Sequence, residues 1–303
     1  MHEQISANKR RSVLLVAGFV VLVLAVAWAV NLFLGFGLAG LLVALVFVTV
    51  TTFMGWWKSD VIALKMSLAR PADPEQYARL HNLVEGLCIA AGLPKPGVYV
   101  ISDAAPNAFA TGRNPRHAAI AVTTGLLDRM SRIELEGVLA HELSHVKNYD
   151  ILASTLAVTF VGVVTLLGDF TLRFLWWGGP RQRDFNKSGG PGVAAVLGVL
   201  GFVLILAAPL VARVMQFAVS RRREALADYT GVSLTRYPPG LIAALEKLND
   251  DSTVVHSGSR ATAHLWIESP LARTSDQGRL AWLNRLFDTH PPLEERIQAL
   301  KEL

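Results

Sequence analysis

Long uncharged runs alternate with charged, periodic segments along this chain. No charged residue lies between positions 12 and 57, a run of 46 residues that "NLFLGFG" at 31–37 interrupts near its middle. Because a membrane helix needs about 20 apolar residues, this run predicts two spans joined by a turn. Two further uncharged runs, at 151–168 and 192–212, contain 18 and 21 residues. The pattern therefore predicts four membrane-associated helices.

The segment after the first run has the helix-boundary and turn residues that are typical of a soluble domain. Asp73, followed by a proline, and Gly92, followed by a proline two residues later, mark the start and the end of a predicted helix. "GVYVIS" and "HAAIAV" are predicted strands because they are short, apolar and rich in β-branched residues or alanine between turn residues. Ser131 and Glu134 match the Ser-x-x-Glu capping box, which predicts a helix that continues through His145.

Three more helices are predicted after the last uncharged run, through "SRRREALADYTG", "PPGLIAALEKL" and "PPLEERIQALKEL", with "NDDSTVVHSGSRATA" as a loop. These elements divide the chain into alternating membrane and soluble parts. The predicted parts are a two-span hairpin at 1–57, a soluble part at 58–150, a second membrane hairpin at 151–212 and a second soluble part at 213–303.

Composition and charge support a membrane protein with a soluble portion. Hydrophobic residues make up 52% of the chain and charged residues 17%, and the net charge is +5. Ten basic residues, including "RRR" at 221–223, flank the runs on one side and three flank them on the other. The positive-inside rule therefore predicts that both termini and the soluble parts are cytoplasmic. The basic residues lack the interleaved aromatic residues of a nucleic-acid surface, so no nucleic-acid partner is expected. Cys88, the single cysteine, excludes an intramolecular disulfide and is predicted to be a small buried apolar residue.

The most polar motif, "HELSH", stands directly before the third uncharged run. On a helix, His141 and His145 lie one turn apart on one face, where two imidazoles can bind one tetrahedral zinc. Glu142 stands next to the first ligand and is the candidate general base. The alternative is a solvated helix face with a His–Glu pair.

The third ligand of a catalytic zinc must come from another part of the chain. "REALAD" offers Glu224 as a ligand and Asp228, one turn later, as a carboxylate that orients a ligand histidine. Because the two apolar runs between the motifs form a hairpin that returns the chain to the same face, the motifs are expected to meet. The alternative for Glu224 is a salt bridge to the neighbouring arginines.

"HELSH", "REALAD", "NAFATG" and "HPPLEERIQAL", in their order along nearly the whole chain, resemble the HtpX-type membrane zinc metallopeptidases, relatives of the CAAX prenyl proteases. The resemblance implies one zinc ion per subunit, bound by His141, His145 and Glu224, with Glu142 as general base. It also implies an endopeptidase of membrane protein quality control at the cytoplasmic face of the cell inner membrane, with misfolded membrane proteins as substrates and the lipid bilayer as its surroundings. The expected fold is mainly α with a small β-sheet: four membrane-associated helices carrying a zincin-like cytoplasmic domain.

Catalysis needs a second group that stabilises the tetrahedral intermediate. His290 is the first candidate, with Arg296 and Asn107 behind it; the alternatives are a turn residue for His290 and a loop anchor for Asn107. "HAAIAVTT" is a candidate edge strand that pairs with the substrate backbone through Ile120, Ala121 and Val122, and the alternative is an interior strand. The other histidines lack ligand spacing and are expected to be structural or solvated; they are His2, His81, His117, His256 and His264.

Two functions outside proteolysis are consistent with parts of this pattern. A metal transporter needs ionisable residues inside its spans, whereas the predicted spans carry only Asp169 and Arg173. A membrane adaptor with a structural zinc has no use for Glu142. Among proteases, a prenyl-protein protease stays open, because specificity depends on the shape of the pocket.

Overall fold

The structure is a computed structural model that describes residues 37–157, 221–253, 255–257, 262–268 and 291–303, together with isolated positions before residue 37. The helices are α1 (Gly37–Trp57), α2 (Ser59–Met66), α3 (Ala78–Ala91), α4 (Thr124–Arg129), α5 (Arg132–Lys147), α6 (Arg221–Thr235), α7 (Pro238–Asp250) and α8 (Leu293–Lys301), and Ala263–Leu265 is a 3₁₀ turn. The strands are β1 (Arg70–Pro71), β2 (Gly97–Ile101), β3 (Ala108–Asn114) and β4 (His117–Thr123). Residues 150–157 are also helical. The described part is thus mainly helical with a small sheet, as predicted.

The four strands form one mixed sheet in the order β1-β2-β4-β3. β2 and β4 are parallel, whereas β1–β2 and β3–β4 are antiparallel. β4 is therefore an interior strand, and β3 is the outer strand on that side. The prediction that "HAAIAVTT" is an edge strand is wrong, because residues 119–122 pair with β2 on one side and with β3 on the other.

The two faces of the sheet bury separate cores. One face contributes to a core shared with α3, α5, α7 and α8, and this core includes Ile120 and Val122. The other face packs on α2 and on Val255, Leu265 and Trp266, and its core includes Phe109 and Ala121. Side chains alternate between these two cores along β2, β3 and β4, as strand geometry requires. The sheet is consequently a buried layer between the two groups of helices.

The helix predicted from the capping box is confirmed in detail. The hydroxyl of Ser131 accepts a hydrogen bond from the backbone N–H of Glu134, and the carboxylate of Glu134 accepts one from the N–H of Ser131. α5 then continues past His145 to Lys147. The helices predicted through the last three motifs are also present as α6, α7 and α8.

The helix α3 begins later than predicted. The carboxylate of Asp73 accepts hydrogen bonds from the N–H groups of Glu75 and Gln76, so it caps a turn, and the helix begins only at Ala78. Its end is as predicted, because Gly92 adopts the left-handed conformation of a C-cap. Cys88 lies in the core of this helix and is 3% exposed, which confirms its prediction as a buried residue. Burial raises the pKa of its thiol to about 11.

Within the residues described, no helix meets both the length and the apolarity that a membrane crossing demands. Most of the predicted second membrane hairpin, from position 158 onward, lies outside the described residues, as does most of the first predicted span. The predicted division into four parts stays a prediction.

Candidate metal centre

Helices α5 and α6 lie side by side and carry the three candidate ligands. α5 supplies His141 and His145, and α6 supplies Glu224. Gly231 is the point of close approach: a Cβ atom at this position would stand 3.0 Å from the backbone nitrogen of His141. The absence of a side chain at Gly231 therefore lets α6 pack directly on the backbone of the ligand helix.

The three side chains point their donor atoms at one another. Nε2 of His141 and Nε2 of His145 are 3.2 Å apart, and Glu224 places one carboxylate oxygen 3.6 Å from the former and the other 3.7 Å from the latter. With zinc about 2.0–2.1 Å from each atom, tetrahedral angles separate neighbouring ligand atoms by about 3.3 Å. These residues form a group able to hold a metal ion, with their ligand atoms all within 4.8 Å of one another. The donor set and its spacing fit zinc.

Each ligand histidine has a carboxylate on its other ring nitrogen. Nδ1 of His141 lies 2.8 Å from Asp228, and Nδ1 of His145 lies 3.4 Å from Asp150. A carboxylate at Nδ1 holds the proton there and leaves the lone pair of Nε2 directed at a metal. The contact of Asp228 agrees with its predicted role. The contact of Asp150 was not predicted, although its place five residues after His145, at the start of the next helical segment, is visible in the sequence.

Arg296 lies behind the metal ligands. Its guanidinium donates two hydrogen bonds to Asp228, at 2.9 and 2.6 Å, and a third to the backbone carbonyl of Ile267 at 3.2 Å. The side chain is 3% exposed and is absent from the lining of the cavity at the metal ligands. Its Nη2 also lies 3.3 Å from Nδ1 of His141, so these contacts are those of a group that fixes both Asp228 and His141.

The charges around the ligands favour a cation between them. Burial and Arg296 lower the pKa of His141, but Asp228 and Glu224 more than offset them and raise it to about 9. Burial raises the pKa of Asp228, yet Arg296 and His141 bring it down to about 2. A surplus of buried carboxylate around two imidazoles stabilises an imidazolium, and it stabilises a divalent cation for the same reason.

Glu142 differs from the other carboxylates in its electrostatics. It is 1% exposed, and burial raises its pKa more strongly than the neighbouring imidazoles lower it. A carboxylate with a raised pKa accepts a proton more readily near neutral pH. This is the property that a general base next to the ligands needs.

A cavity of about 20 Å³ opens beside the ligands. Besides the predicted residues, its lining includes Arg223, His264 and the residues 265–267. His264 was expected to be structural or solvated, and it has no spacing that would have indicated a site. Arg223, which was counted among the basic residues that flank a span, is 6% exposed and 3.8 Å from Asp150. Its position directly before Glu224 was the only available signal.

The wall of this cavity is attached to the edge of the sheet. Residues Phe109 and Trp266 form an antiparallel bridge, with their rings 4.9 Å apart. The N–H of Ile267 donates to the carbonyl of Ala108 at 2.9 Å. β3 and the segment 262–268 thus form one wall next to the metal ligands.

The remaining predicted site residues that the structure describes are absent from the lining of the cavity. Asn107 is 1% exposed and exchanges hydrogen bonds with the backbone of Glu268, so it anchors the wall. Ile120, Ala121 and Val122 are fully buried inside the sheet, where they contact the two cores described above. His290 lies outside the described residues.

Comparison with known proteins agrees with this geometry. The family model described as Peptidase family M48 matches residues 74–303. The "Protease HtpX homolog" of Thermoanaerobacter pseudethanolicus is 41% identical over 305 aligned positions, which cover 100% of this chain and 98% of that protein. The protein of the same name from Limosilactobacillus fermentum is also 41% identical, over the full length of both chains.

A solved structure is similar in fold. The crystal structure of S. mikatae Ste24p has a TM-score of 0.50 and 19% sequence identity, with 99% of this chain and 67% of that chain covered. The family model and the full-length relatives agree with the resemblance seen in the motifs. The spacing of the candidate zinc ligands agrees with it as well. The chain belongs to peptidase family M48 and is a zinc-dependent membrane endopeptidase of the HtpX type.

Proposed function

We propose that His141, His145 and Glu224 hold the zinc ion and that Glu142 is the general base of peptide-bond hydrolysis. The observation that carries this proposal is the spacing of 3.2–3.7 Å among the ligand atoms. Glu142 and all three ligands line the same cavity, so one water there is within reach of the carboxylate and of the metal position.

When bound, zinc lowers the pKa of water and polarises the scissile carbonyl. Glu142 takes a proton from the attacking water and returns it to the leaving amine. Its buried position suits both transfers, because the protonated and the ionised carboxyl are then closer in free energy than in water. Asp228 and Asp150 keep the two imidazoles in the tautomer that leaves Nε2 without a proton.

We also propose that the substrates are misfolded or damaged membrane proteins, cleaved at the cytoplasmic face. Two residues separate α5 from the helical segment 150–157, and the third uncharged run begins at residue 151 of this segment. A metal centre at that place lies next to the bilayer if this run enters it. The excess of basic residues on the same flank supports the cytoplasmic orientation and a multi-pass arrangement with both predicted hairpins in the membrane.

We also propose that the chain is divided into four parts, two membrane hairpins and two soluble parts. The soluble parts 58–150 and 213–303 contribute α5 and α6, respectively, to the candidate metal centre. The hairpin predicted at 151–212 then joins two halves of one protease domain, and the hairpin at 1–57 precedes it. The lipid bilayer is accordingly a partner of the chain.

A protease assay on the purified full chain tests the proposal. We expect cleavage of an unfolded substrate such as casein, loss of cleavage with a zinc chelator and recovery when zinc is added back. Glu142→Gln should retain zinc and lose cleavage by about 10²-fold or more, while Glu136→Gln on the same helix should match the parent. Full cleavage by Glu142→Gln would remove Glu142 as the base. A parallel assay with a prenylated peptide separates general proteolysis from the prenyl-protein specificity considered above.

A further inference from the structure

A second, much larger cavity lies on the other face of the helical segment 150–157. Its volume of about 1220 Å³ exceeds the range of about 300–1,000 Å³ that is typical of sites for drug-sized molecules. Leu152 and Leu156, one turn apart, line this cavity. Ile151 and Ser154 of the same segment line the small cavity at the metal ligands instead. The larger cavity, which we call the groove, is therefore separate from the candidate metal centre.

The floor of the groove is apolar and comes from three predicted membrane segments. The C-terminal part of α1 contributes Phe53 and Trp56, and the segment 150–157 contributes its two leucines. The first predicted span contributes side chains that are spaced as on one face of a helix, at Val13, Val16 and Val20. Such a surface stabilises a hydrocarbon chain, because burying apolar groups away from water is favourable.

The rim of the groove is basic. Arg113, near the end of β3, and Arg116, in the turn before β4, line it, whereas Asp and Glu are absent from its described lining residues. Arg113 donates a hydrogen bond of 2.6 Å to the carbonyl of Trp57, and its guanidinium carbon lies 4.2 Å from the centre of that ring. Because a guanidinium has five N–H donors, this bond leaves others for a ligand. Arg116 is exposed.

The aromatic residues beside the rim are those of a membrane boundary. The rings of Phe53, Trp56 and Trp57 lie 5.9 Å from one another at the C-terminal end of α1. Tryptophan is enriched where membrane helices cross the level of the lipid headgroups. If α1 crosses the bilayer, the two arginines of the rim consequently stand at the level of the phosphates, with the apolar floor directed towards the hydrocarbon.

We propose that the groove is a binding site for an anionic phospholipid of the surrounding bilayer. Arg113 and Arg116 bind its phosphate, and one acyl chain lies along Phe53 and the two leucines. An uncharged peptide segment matches the floor but leaves the two arginines without a counter-charge. A free phosphate ion matches the arginines but not the floor. The proposal rests on the proposed position of the chain in the membrane.

Lipid binding is measured on the purified full chain in uncharged detergent micelles. Native mass spectrometry counts the lipids that stay bound as phosphatidylglycerol or phosphatidylcholine is titrated in. We expect one saturable phosphatidylglycerol per chain, bound about tenfold more tightly than phosphatidylcholine, whose choline cation is repelled by the arginines. The preference should shrink as the salt concentration rises, because exposed charges are screened. Absence of saturable phosphatidylglycerol binding would overturn the proposal, as it would if another part of the chain filled the groove.

The headgroup contact is tested at the exposed arginine. Arg116→Gln should weaken phosphatidylglycerol binding by about tenfold, the effect of one lost bond to a charged group, and should leave phosphatidylcholine binding nearly unchanged. Arg116→Lys should retain most of the preference because it keeps the charge. Arg132→Gln, exposed at the far end of α5, is the control. An equal loss in Arg132→Gln would mean that the lipid responds only to the overall charge, and the proposal would fail.

The acyl-chain contact is tested at Phe53. Phe53→Ala should weaken the binding of both lipids severalfold, because it removes apolar surface that the chain covers. Met54→Ala is matched to it, since Met54 is a neighbouring exposed residue of α1 that does not line the groove, and it should bind both lipids like the parent. Parental affinities in Phe53→Ala would contradict an acyl chain in the groove. Displacement of phosphatidylglycerol by an equal concentration of inorganic phosphate would reduce the groove to a site for small anions.

Enzymatic readouts keep this proposal distinct from the proposed function. Arg116→Gln should retain the zinc content and the chelator-sensitive cleavage of the parent, because the groove and the metal ligands lie on different faces of the segment 150–157. Loss of zinc in Arg116→Gln would contradict a separate site. If the parent binds phosphatidylglycerol as expected but shows no chelator-sensitive cleavage, the proposed function fails and the lipid site stands.

Discussion

The two walls of the candidate site are built from different kinds of contact. On one side, α5 and α6 bring the candidate zinc ligands together through backbone packing at Gly231 and through motifs that are contiguous in the sequence. On the other side, the segments 255–257 and 262–268 are anchored by single polar contacts that reach across more than 100 residues: Ser257 bonds Asp103, Glu268 bonds Asn107, and His264 bonds Ser154. The metal side is fixed by helix geometry, whereas the substrate side depends on a few long-range anchors. Substitutions on the metal side should therefore change zinc binding, whereas substitutions on the substrate side should change the binding of substrate.

The largest expected effect is the loss of a ligand on the metal side. Glu224→Ala removes one of three donors, so zinc affinity should fall by more than about 100-fold, since even the groups that orient ligands contribute about 10–100-fold. Elemental analysis of the purified variant measures zinc occupancy. Glu246→Ala, on the surface of α7 in an ion pair with Lys301, is the control. Parental zinc occupancy in Glu224→Ala would exclude Glu224 as a ligand.

The carboxylates behind the histidines should have a graded effect. Asp228→Asn should weaken zinc binding by about 10–100-fold, because the bond to His141 is short and buried. Asp150→Asn should weaken it less, because the contact with His145 is 3.4 Å. Competition with a metal-binding dye measures both affinities. A larger loss of zinc affinity in Asp150→Asn than in Asp228→Asn would show that the shorter contact is not the more important one.

The packing of α6 on α5 is tested by a single methyl group. In Gly231→Ala the new Cβ must displace the backbone near His141, so we expect about 1–3 kcal/mol of destabilisation and a severalfold loss of zinc affinity. Gly86→Ala on α3 is matched to it, since a Cβ there meets nothing within 4 Å; that change should raise stability by up to about 1 kcal/mol. Thermal unfolding with and without zinc compares them. An unchanged zinc affinity in Gly231→Ala would mean that the ligand pair tolerates a shift of the helices.

On the substrate side, Asn107→Ala should change substrate binding more than metal binding. It leaves the backbone N–H and carbonyl of Glu268 without the side chain that bonds both, a cost of about 1–3 kcal/mol. We expect a raised KM for peptide with normal zinc content. Asn82→Ala on the exposed side of α3 is the control. A loss of zinc with unchanged KM would contradict the assignment of Asn107 to the wall.

The smallest expected effect is the pH dependence of the anchor at Asp103. Burial raises the pKa of this carboxyl, but hydrogen bonds from Ser257, Ala105 and His256 outweigh it and lower the pKa below its ordinary value. A group whose pKa is lowered by folding stabilises the protein above its unfolded pKa of about 3.9, and this contribution is lost as the pH falls further.

The corresponding measurement is the thermal midpoint of the parent and of Asp103→Asn from pH 7 to pH 3. The advantage of the parent should be constant in the upper part of this range and should shrink below about pH 4. Asp128→Asn, at an exposed position of α4, provides the baseline. An advantage that grows on acidification would have the wrong sign for a carboxylate that accepts these bonds.

Local signals predicted the elements well wherever the responsible contacts are close in sequence. The capping box at Ser131 and the C-cap at Gly92 involve neighbours three or four residues away, so they could be recognised without the fold. The position of β4 in the sheet could not be predicted from the sequence, because the apolar pattern of "HAAIAV" is compatible with an edge strand and with an interior strand. Only the pairing of both its neighbours decides between them.

The sequence by itself determined the metal chemistry of this protein. Helix periodicity places His141 and His145 on one face, and the order of the motifs predicts that Glu224 meets them. The tertiary structure decided which groups surround the metal centre. The contacts of Asp150, Arg223 and His264 could not be predicted from their positions in the sequence, because these contacts depend on how separate elements pack. The physical reason is that an α-helix fixes distances between residues four apart, whereas contacts between distant segments exist only once the whole core has formed.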